Sequence, residues 1–352
     1  MKKDSEMIIV KKTRDSNIEL LRIVAMMMII MHHLVYHTGV YKIIGEKHFI
    51  TSIMLSGGKI AVVVYILIMG YYSKKSKFNI VRPINIIIKV IIYSIIFMCI
   101  FNFENIKRFS LKEFFQYWFI NVWILLFMIE PIIKICENKL PKTIKRIIFV
   151  WMTILFILPN VHLNDIQSFI YFYLCGRHFL HKIVEEFDNQ KLNILILIIL
   201  YVFIVAKRME LAQNSITTWV TAITLFTIFA NIKIKSKIIN NVAKHTLGVY
   251  LIHDNKYVED NITVNGLNIQ KMYYTNYFYI YTLGMGVAIF VVCTVIDFII
   301  SKIIAKIILE NRYVKESFEE INKIVNDFLL KSTITNNYIY DTGRLGWKKR
   351  IH

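Results

Sequence analysis

Residues 84–103 read INIIIKVIIYSIIFMCIFNF, a run with a single charged side chain, Lys89, and no proline or glycine. A helix of about 20 residues rises about 30 Å, the thickness of a bilayer's hydrocarbon core. The other membrane architecture, the outer-membrane strand, alternates polar and apolar side chains over about ten residues. This stretch does not alternate, so it reads as a transmembrane helix.

The rest of the chain shares its character. Hydrophobic residues make up 56% and aromatics 14% of the 352 residues, with a mean hydropathy of +0.50, more than a water-soluble domain normally carries. Glycine (12) and proline (4) are scarce, so long helices meet few breakers. Apolar runs of about 16 to 22 residues bounded by charge begin near Ile18, Gly57, Ile84, Phe114, Ile147, Ile166, Leu192, Ile216, Thr246 and Tyr277. The weakest is the run at Thr246, which reaches only Asp254 before the polar stretch Asn255 to Asn276; a short, tilted or re-entrant segment is expected there.

The expected fold is therefore an all-α membrane protein, a bundle of about ten transmembrane helices with a C-terminal amphipathic tail. Residues 1–17 form a cytoplasmic N-terminal segment, 18–302 the membrane domain, and 303–352 a cytoplasmic tail with Phe318, Ile321, Ile324, Val325, Phe328 and Leu329 at helical spacing. The tail is expected to lie on the inner leaflet. No internal repeat is evident. No cleavable signal peptide is expected, because the first 17 residues are polar and no small-residue cleavage site follows the first apolar run.

A formal charge of +19 raises the question of nucleic acid, but the basic residues sit in short runs between apolar segments. That placement is the positive-inside pattern of cytoplasmic loops, and such residues set topology and meet anionic lipid. With the N-terminus inside, the inner loops are Ser73 to Arg82, Glu137 to Arg146, His181 to Lys191 and Asn231 to Lys244, three of them clearly basic. The outer loops still hold Lys42, Lys47, Lys107, Arg108, Lys112, Lys207 and Arg208, so the asymmetry is imperfect. Both termini are placed in the cytoplasm of a multi-pass protein of a bacterial cell membrane. Cys99, Cys136, Cys175 and Cys293 lie far apart, mostly inside apolar segments and without metal-type spacing, so buried free thiols, neither disulfides nor metal ligands, are expected.

The first span carries groups that a purely structural helix would avoid: Glu19, Arg22, His32, His33 and His37. Eleven residues separate Arg22 from His33, which puts them within about 20° of one helix face and roughly 16 Å apart along the axis. Glu19 and His37 extend that line, while His32 points about 100° away. Against a functional reading stands a plain one, in which Glu19 and Arg22 mark the membrane boundary and the histidines pack against neighbouring helices. His33 and His37 also have a spacing a metal could use, yet no HExxH pattern or nearby third ligand supports it.

The segment NIELLRIVAMMMIIMHHLVYHTG (17–39), with Arg22 and His33, resembles the opening helix of the acyltransferase-3 family of membrane acyltransferases. GKIAVVVYILIMGYYSKKSKFNIVRP (58–83) is similar to that family's second helix and basic inner loop, YWFINVWILLFMIEP (117–131) to its Tyr-Trp-Phe segment, and TLGVYLIHDN (246–255) to its late Tyr-Leu-Ile-His segment. The resemblance covers roughly residues 14 to 302, nearest to the short form among surface-polysaccharide O-acetyltransferases of Gram-positive bacteria. It implies transfer of an acyl group, acetyl in the first instance, from cytoplasmic acyl-CoA to an acceptor at the outer face. No tightly bound cofactor is implied; acetyl-CoA or another acyl-CoA is the donor substrate, and a surface glycan or its lipid-linked precursor the acceptor. Arg22 and His33 map onto the family's essential pair in the first helix.

The chemistry of those residue types agrees. A histidine can deprotonate an acceptor hydroxyl, and an arginine can hold a CoA phosphate or an acidic partner. Two features depart from the family: Arg82 is followed three residues on by Asn85 where many members carry a second arginine, leaving Lys89 or Lys77 as substitutes, and the hydrolase-like extracellular domain fused in some members is not expected here.

The remaining candidates are His253, as a further catalytic group, with Asp254 and Asn255 beside it; Glu130 before Pro131; Tyr117 and Trp118, for stacking on a sugar; and Lys74, Lys75 and Arg82, for CoA phosphates. Each has a plain alternative: a helix-end cap for the 253–255 cluster, interfacial anchoring for the aromatics, and loop retention for the basic residues. No serine or cysteine nucleophile stands out. The competing class is a transporter or flippase of a lipid-linked sugar, in which the same charges would form a proton or substrate path.

Overall fold

A computed structural model describes residues 14–43, 48–74, 76–103, 116–157, 165–206, 212–309 and 311–348, the last seventeen of these as backbone only. Among them no strand occurs. The helices are α1 (Ser16–Tyr36), α2 (His48–Ser73), α3 (Val81–Phe101), α4 (Trp118–Lys139), α5 (Lys142–Ile157), α6 (Asp165–His178), α7 (Leu180–Glu186) and α8 (Gln190–Ala206). After them come α9 (Ile216–Ala230), α10 (Lys237–Val242), α11 (Thr246–His253), α12 (Lys256–Val258), α13 (Ile269–Met272), α14 (Phe278–Ile304) and α15 (Arg312–Lys348).

Five of these, α1 to α4 and α14, are long and apolar enough to cross a membrane, and a sixth span arises if α7 and α8, bent by 114°, count as one. The runs expected near Ile147, Ile166, Ile216 and Thr246 form helices of 16, 14, 15 and 8 residues. Over the described residues each of these apolar helices is shorter than a full span. Full-length spans among the described residues thus number five, or six with the bent pair counted as one.

The outer surface is that of a membrane protein. Leu195, Ile198, Ile199 and Val202 on α8 and Val291, Val292 and Val295 on α14 are about half exposed, an apolar belt too large for a protein surrounded by water. Inside, α1 is packed so closely that Leu21, Ala25 and Val35 have no exposure.

Glycines set the tightest crossings. A Cβ on Gly58 would fall 2.3 Å from the His32 Cβ, so α2 lies directly against α1 beside the histidine pair. Gly70 and Gly176 do the same for α2 and α6, each facing the other helix's backbone within 2.5 Å of a would-be Cβ. Gly39, at φ 73°, supplies the left-handed turn that ends α1.

Beyond α14, α15 doubles back to lie against α4 and the turn between α2 and α3. Asn326 accepts from the Phe78 N–H (3.0 Å) and donates to its carbonyl (3.0 Å), while Asn322 accepts from the Ile80 N–H (2.8 Å). Leu329 packs with Phe78 and Phe127. At the same end of the bundle Arg177, 3% exposed, makes a two-pronged bond to Glu137 and donates to the Ser73 hydroxyl.

Candidate functional site

Two helices that meet only in three dimensions build the site. α1 carries His33 and, just past its end, His37; α11 carries His253 and, as its C-cap, Asp254. His33 Nδ1 lies 3.1 Å from His253 Nε2 and 3.2 Å from Asp254 Oδ1. His37 Nδ1 lies 2.7 Å from Glu259 Oε1, and its Nε2 3.8 Å from Asp254 Oδ1.

The partners fix the tautomers. His253 Nδ1 faces the Val249 carbonyl at 2.7 Å, and a carbonyl only accepts, so that nitrogen carries the proton and Nε2 of the neutral ring holds a lone pair. Both groups facing His33 Nδ1, the His253 lone pair and the Asp254 carboxylate, are then acceptors. His33 Nδ1 must be the protonated nitrogen, which leaves Nε2 as its basic one. A carboxylate next to the Nδ1–H orients such a ring and stabilises the imidazolium once Nε2 takes a proton. His32 Nδ1, by contrast, is committed to the Leu55 carbonyl at 2.7 Å, to which it donates.

His33, His37 and Asp254 line a cavity of about 470 Å³. Its lining combines apolar side chains, among them Met26, Ile29, Val62 and Leu247, with the polar Lys59, Gln116, Lys256 and Glu259. Trp118 and His32 line it too. The same three residues bring one ligand atom each within 4.8 Å of one another, close enough for a divalent cation to bridge them.

Other predicted residues fall elsewhere. Tyr117, wholly buried, donates to the Leu251 carbonyl (2.7 Å) and accepts from Asn255 (2.8 Å), also wholly buried; the two hold the end of α11 and do not line the cavity. Asn255 also caps α12 through the Tyr257 N–H. His253, 6% exposed, stands behind His33 as its hydrogen-bond partner.

Arg22 stays at the opposite end of α1, 3.4 Å from Glu19, and Glu19 is shared with Arg14 at 3.4 Å. Glu130 pairs with Lys134 at 3.0 Å and accepts from Ser76, at the basic turn. Lys74, Lys77 and Arg82 are exposed there; Lys75 lies outside the described residues. Lys89 does not join them. It is buried against Asp297 at 2.7 Å, so it cannot replace the missing second arginine of the loop.

Sequence reasoning passed over Gly58, Lys59, Gln116 and Glu259. Lys59 carried a legible signal, a charge inside an apolar run. Glu259 carried none, because only the fold of the segment after α11 brings it to His37.

A family model described as an acyltransferase domain matches residues 15–302. No curated protein and no solved structure matches the chain.

Proposed function

The chain belongs to the acyltransferase-3 family of membrane acyltransferases, and from that premise we propose that it transfers an acyl group, acetyl in the simplest case, from acyl-CoA to a hydroxyl of a cell-surface polysaccharide or its lipid-linked precursor. The observation that carries this reading is His33, whose Nδ1 is committed to His253 and Asp254 while the ring lines a cavity large enough for two reacting groups.

In the proposed reaction the acceptor oxygen attacks the thioester carbonyl as His33 Nε2 takes its proton. The carbon–sulfur bond breaks, and the imidazolium returns the proton to the departing CoA thiolate. Asp254 stabilises the intervening positive charge. Arg22 and the exposed Lys74, Lys77 and Arg82 attract the CoA phosphates at the inner face, and the long pantetheine arm spans the distance along α1 to His33. Trp118 offers the acceptor sugar a stacking face. In this reading the shorter apolar helices complete a bundle of about ten, with both termini in the cytoplasm of a bacterial cell.

The test uses purified protein in liposomes with acetyl-CoA and a polysaccharide acceptor. Acceptor-dependent release of free CoA thiol by wild type, and not by His33→Ala, is expected. Thiol release that ignores the acceptor or survives the substitution would overturn the proposal.

A further inference from the structure

A second cluster of charge lies away from the cavity. Asp297 on α14 has no exposure at all, and its carboxylate is surrounded by donors: Lys89 Nζ and Tyr93 Oη at 2.7 Å each on Oδ1, His245 Nδ1 at 2.6 Å and Ser301 Oγ at 3.1 Å on Oδ2. Lys89 and Tyr93 come from α3, and His245 from the turn Ala243–His245 immediately before α11.

Stability alone is a poor reason for such a cluster. A buried ion pair is often no more stable than apolar side chains of the same volume, and its best-attested use is to fix register. The register in question is that of α11. His245 is tethered to Asp297 at one end of the helix, and a Cβ on Gly248 would fall 1.8 Å from Asp297 Oδ1, so the first turn of α11 rests directly on the carboxylate. From there α11 is a rigid rod of eight residues, about 12 Å, that ends at His253. Neither Asp297, Lys89 nor His245 lines the cavity.

We propose that Asp297, clamped by Lys89 and Tyr93 and bonded to His245, is a positioning device that sets α11 so that His253 and Asp254 meet His33. The inference rests on the acyl-transfer reading for its kinetic consequence, and on geometry alone for its structural one. Displacing a catalytic group by about 1 Å costs on the order of 10²-fold in rate, so the tether reads out in turnover and leaves binding of the acyl donor nearly unchanged.

The experiment compares wild type, His33→Ala, His245→Leu and His245→Gln in detergent, with Lys89→Met/Asp297→Leu as a second disruption that leaves no uncompensated charge. In every variant kcat and KM for acetyl-CoA are measured beside the melting temperature. Binding of Cu2+ alone, through His33, His37 and Asp254, probes the approach of the end of α11 to α1 independently of turnover.

His245→Leu should lose roughly 10- to 100-fold in kcat with KM within about twofold and bind Cu2+ at least about tenfold more weakly; a fixed ligand geometry is what the ion requires. His245→Gln, which can still donate to Asp297, should recover both. Wild-type kcat and Cu2+ affinity in His245→Leu, or in the double variant should His245→Leu not fold, would overturn the inference. If wild type and His33→Ala turn over alike, the acyl-transfer reading fails, and the Cu2+ titration alone decides whether the tether holds α11.

Discussion

His33 Nδ1 and His253 Nε2 lie 3.1 Å apart across 220 residues of chain, and the bond between them has only one consistent direction. The Val249 carbonyl fixes the proton of His253, His253 and Asp254 together fix the proton of His33, and the basic nitrogen of His33 is thereby chosen. The reactivity proposed for His33 follows from that order of donors.

Replacing His33 by Ala removes the proposed base, and transfer should fall by roughly 10² to 10⁴-fold, the usual contribution of general acid–base catalysis. Asp254→Asn should also lower kcat, because it withdraws the charge that stabilises the imidazolium while still offering an oxygen to Nδ1. Steady-state rates at matched protein in liposomes check both, with KM for acetyl-CoA expected to change little.

Gly58→Ala should be damaging out of proportion to its size. The added methyl meets the His32 Cβ at 2.3 Å, so α1 and α2 must separate beside the histidines. Overpacking of this kind costs about 1–3 kcal/mol, visible as a lower melting temperature with reduced transfer. Gly284→Ala, on α14 where nothing lies within 4 Å of the new methyl, is the control and should be neutral or stabilising by about 0.5–1 kcal/mol.

Glu137→Ala should loosen the end of the bundle where α4 meets α2 and α6. Arg177 is 3% exposed, and loss of its partner leaves a buried guanidinium with Ser73 as its remaining neutral acceptor. Removing one member of such a pair costs about 3–5 kcal/mol, measurable as a drop in melting temperature. Glu137→Gln keeps one acceptor and should lose less.

Zinc should inhibit transfer. His33, His37 and Asp254 offer ligand atoms within 4.8 Å, so an added ion would occupy the nitrogen network that the proposed reaction needs. A chelator should restore the inhibited rate and leave the untreated rate unchanged; a rate that falls with chelator alone would show that the reaction itself uses a metal.

Much of the site was legible in the sequence because its members are titratable groups inside apolar runs, where each carries a desolvation cost that demands a reason. His33, His253 and Asp254 stand out in this way, and so do Arg22, at the opposite end of α1, and Lys89. What the sequence could not supply is direction. Tyr117 and Asn255 read as cavity residues, but their polar atoms face each other and the end of α11. Lys89 read as a substitute for the loop's second arginine, but Asp297, 208 positions along the chain, is its partner.

The architecture divides similarly. Long uninterrupted runs such as 84–103 gave full spans, since composition and length agree there. The runs at Ile147, Ile166 and Ile216 gave shorter helices over the described residues, because hydropathy reports what a segment prefers to touch and does not fix helix length. The amphipathic tail was legible as a helix; its clasp on the turn after α2 was not, as it depends on Asn322 and Asn326 finding the backbone of residues 78–80.

The most direct test of the central claim is the ester-linked acyl content of the cell-surface polysaccharide, measured by proton NMR in cells producing wild type, His33→Ala or no protein, with membrane levels of the two proteins matched. The account predicts ester in the wild type and its loss in both other strains. Ester that persists in the cells lacking the protein, or that His33→Ala sustains at the wild-type level, would contradict it.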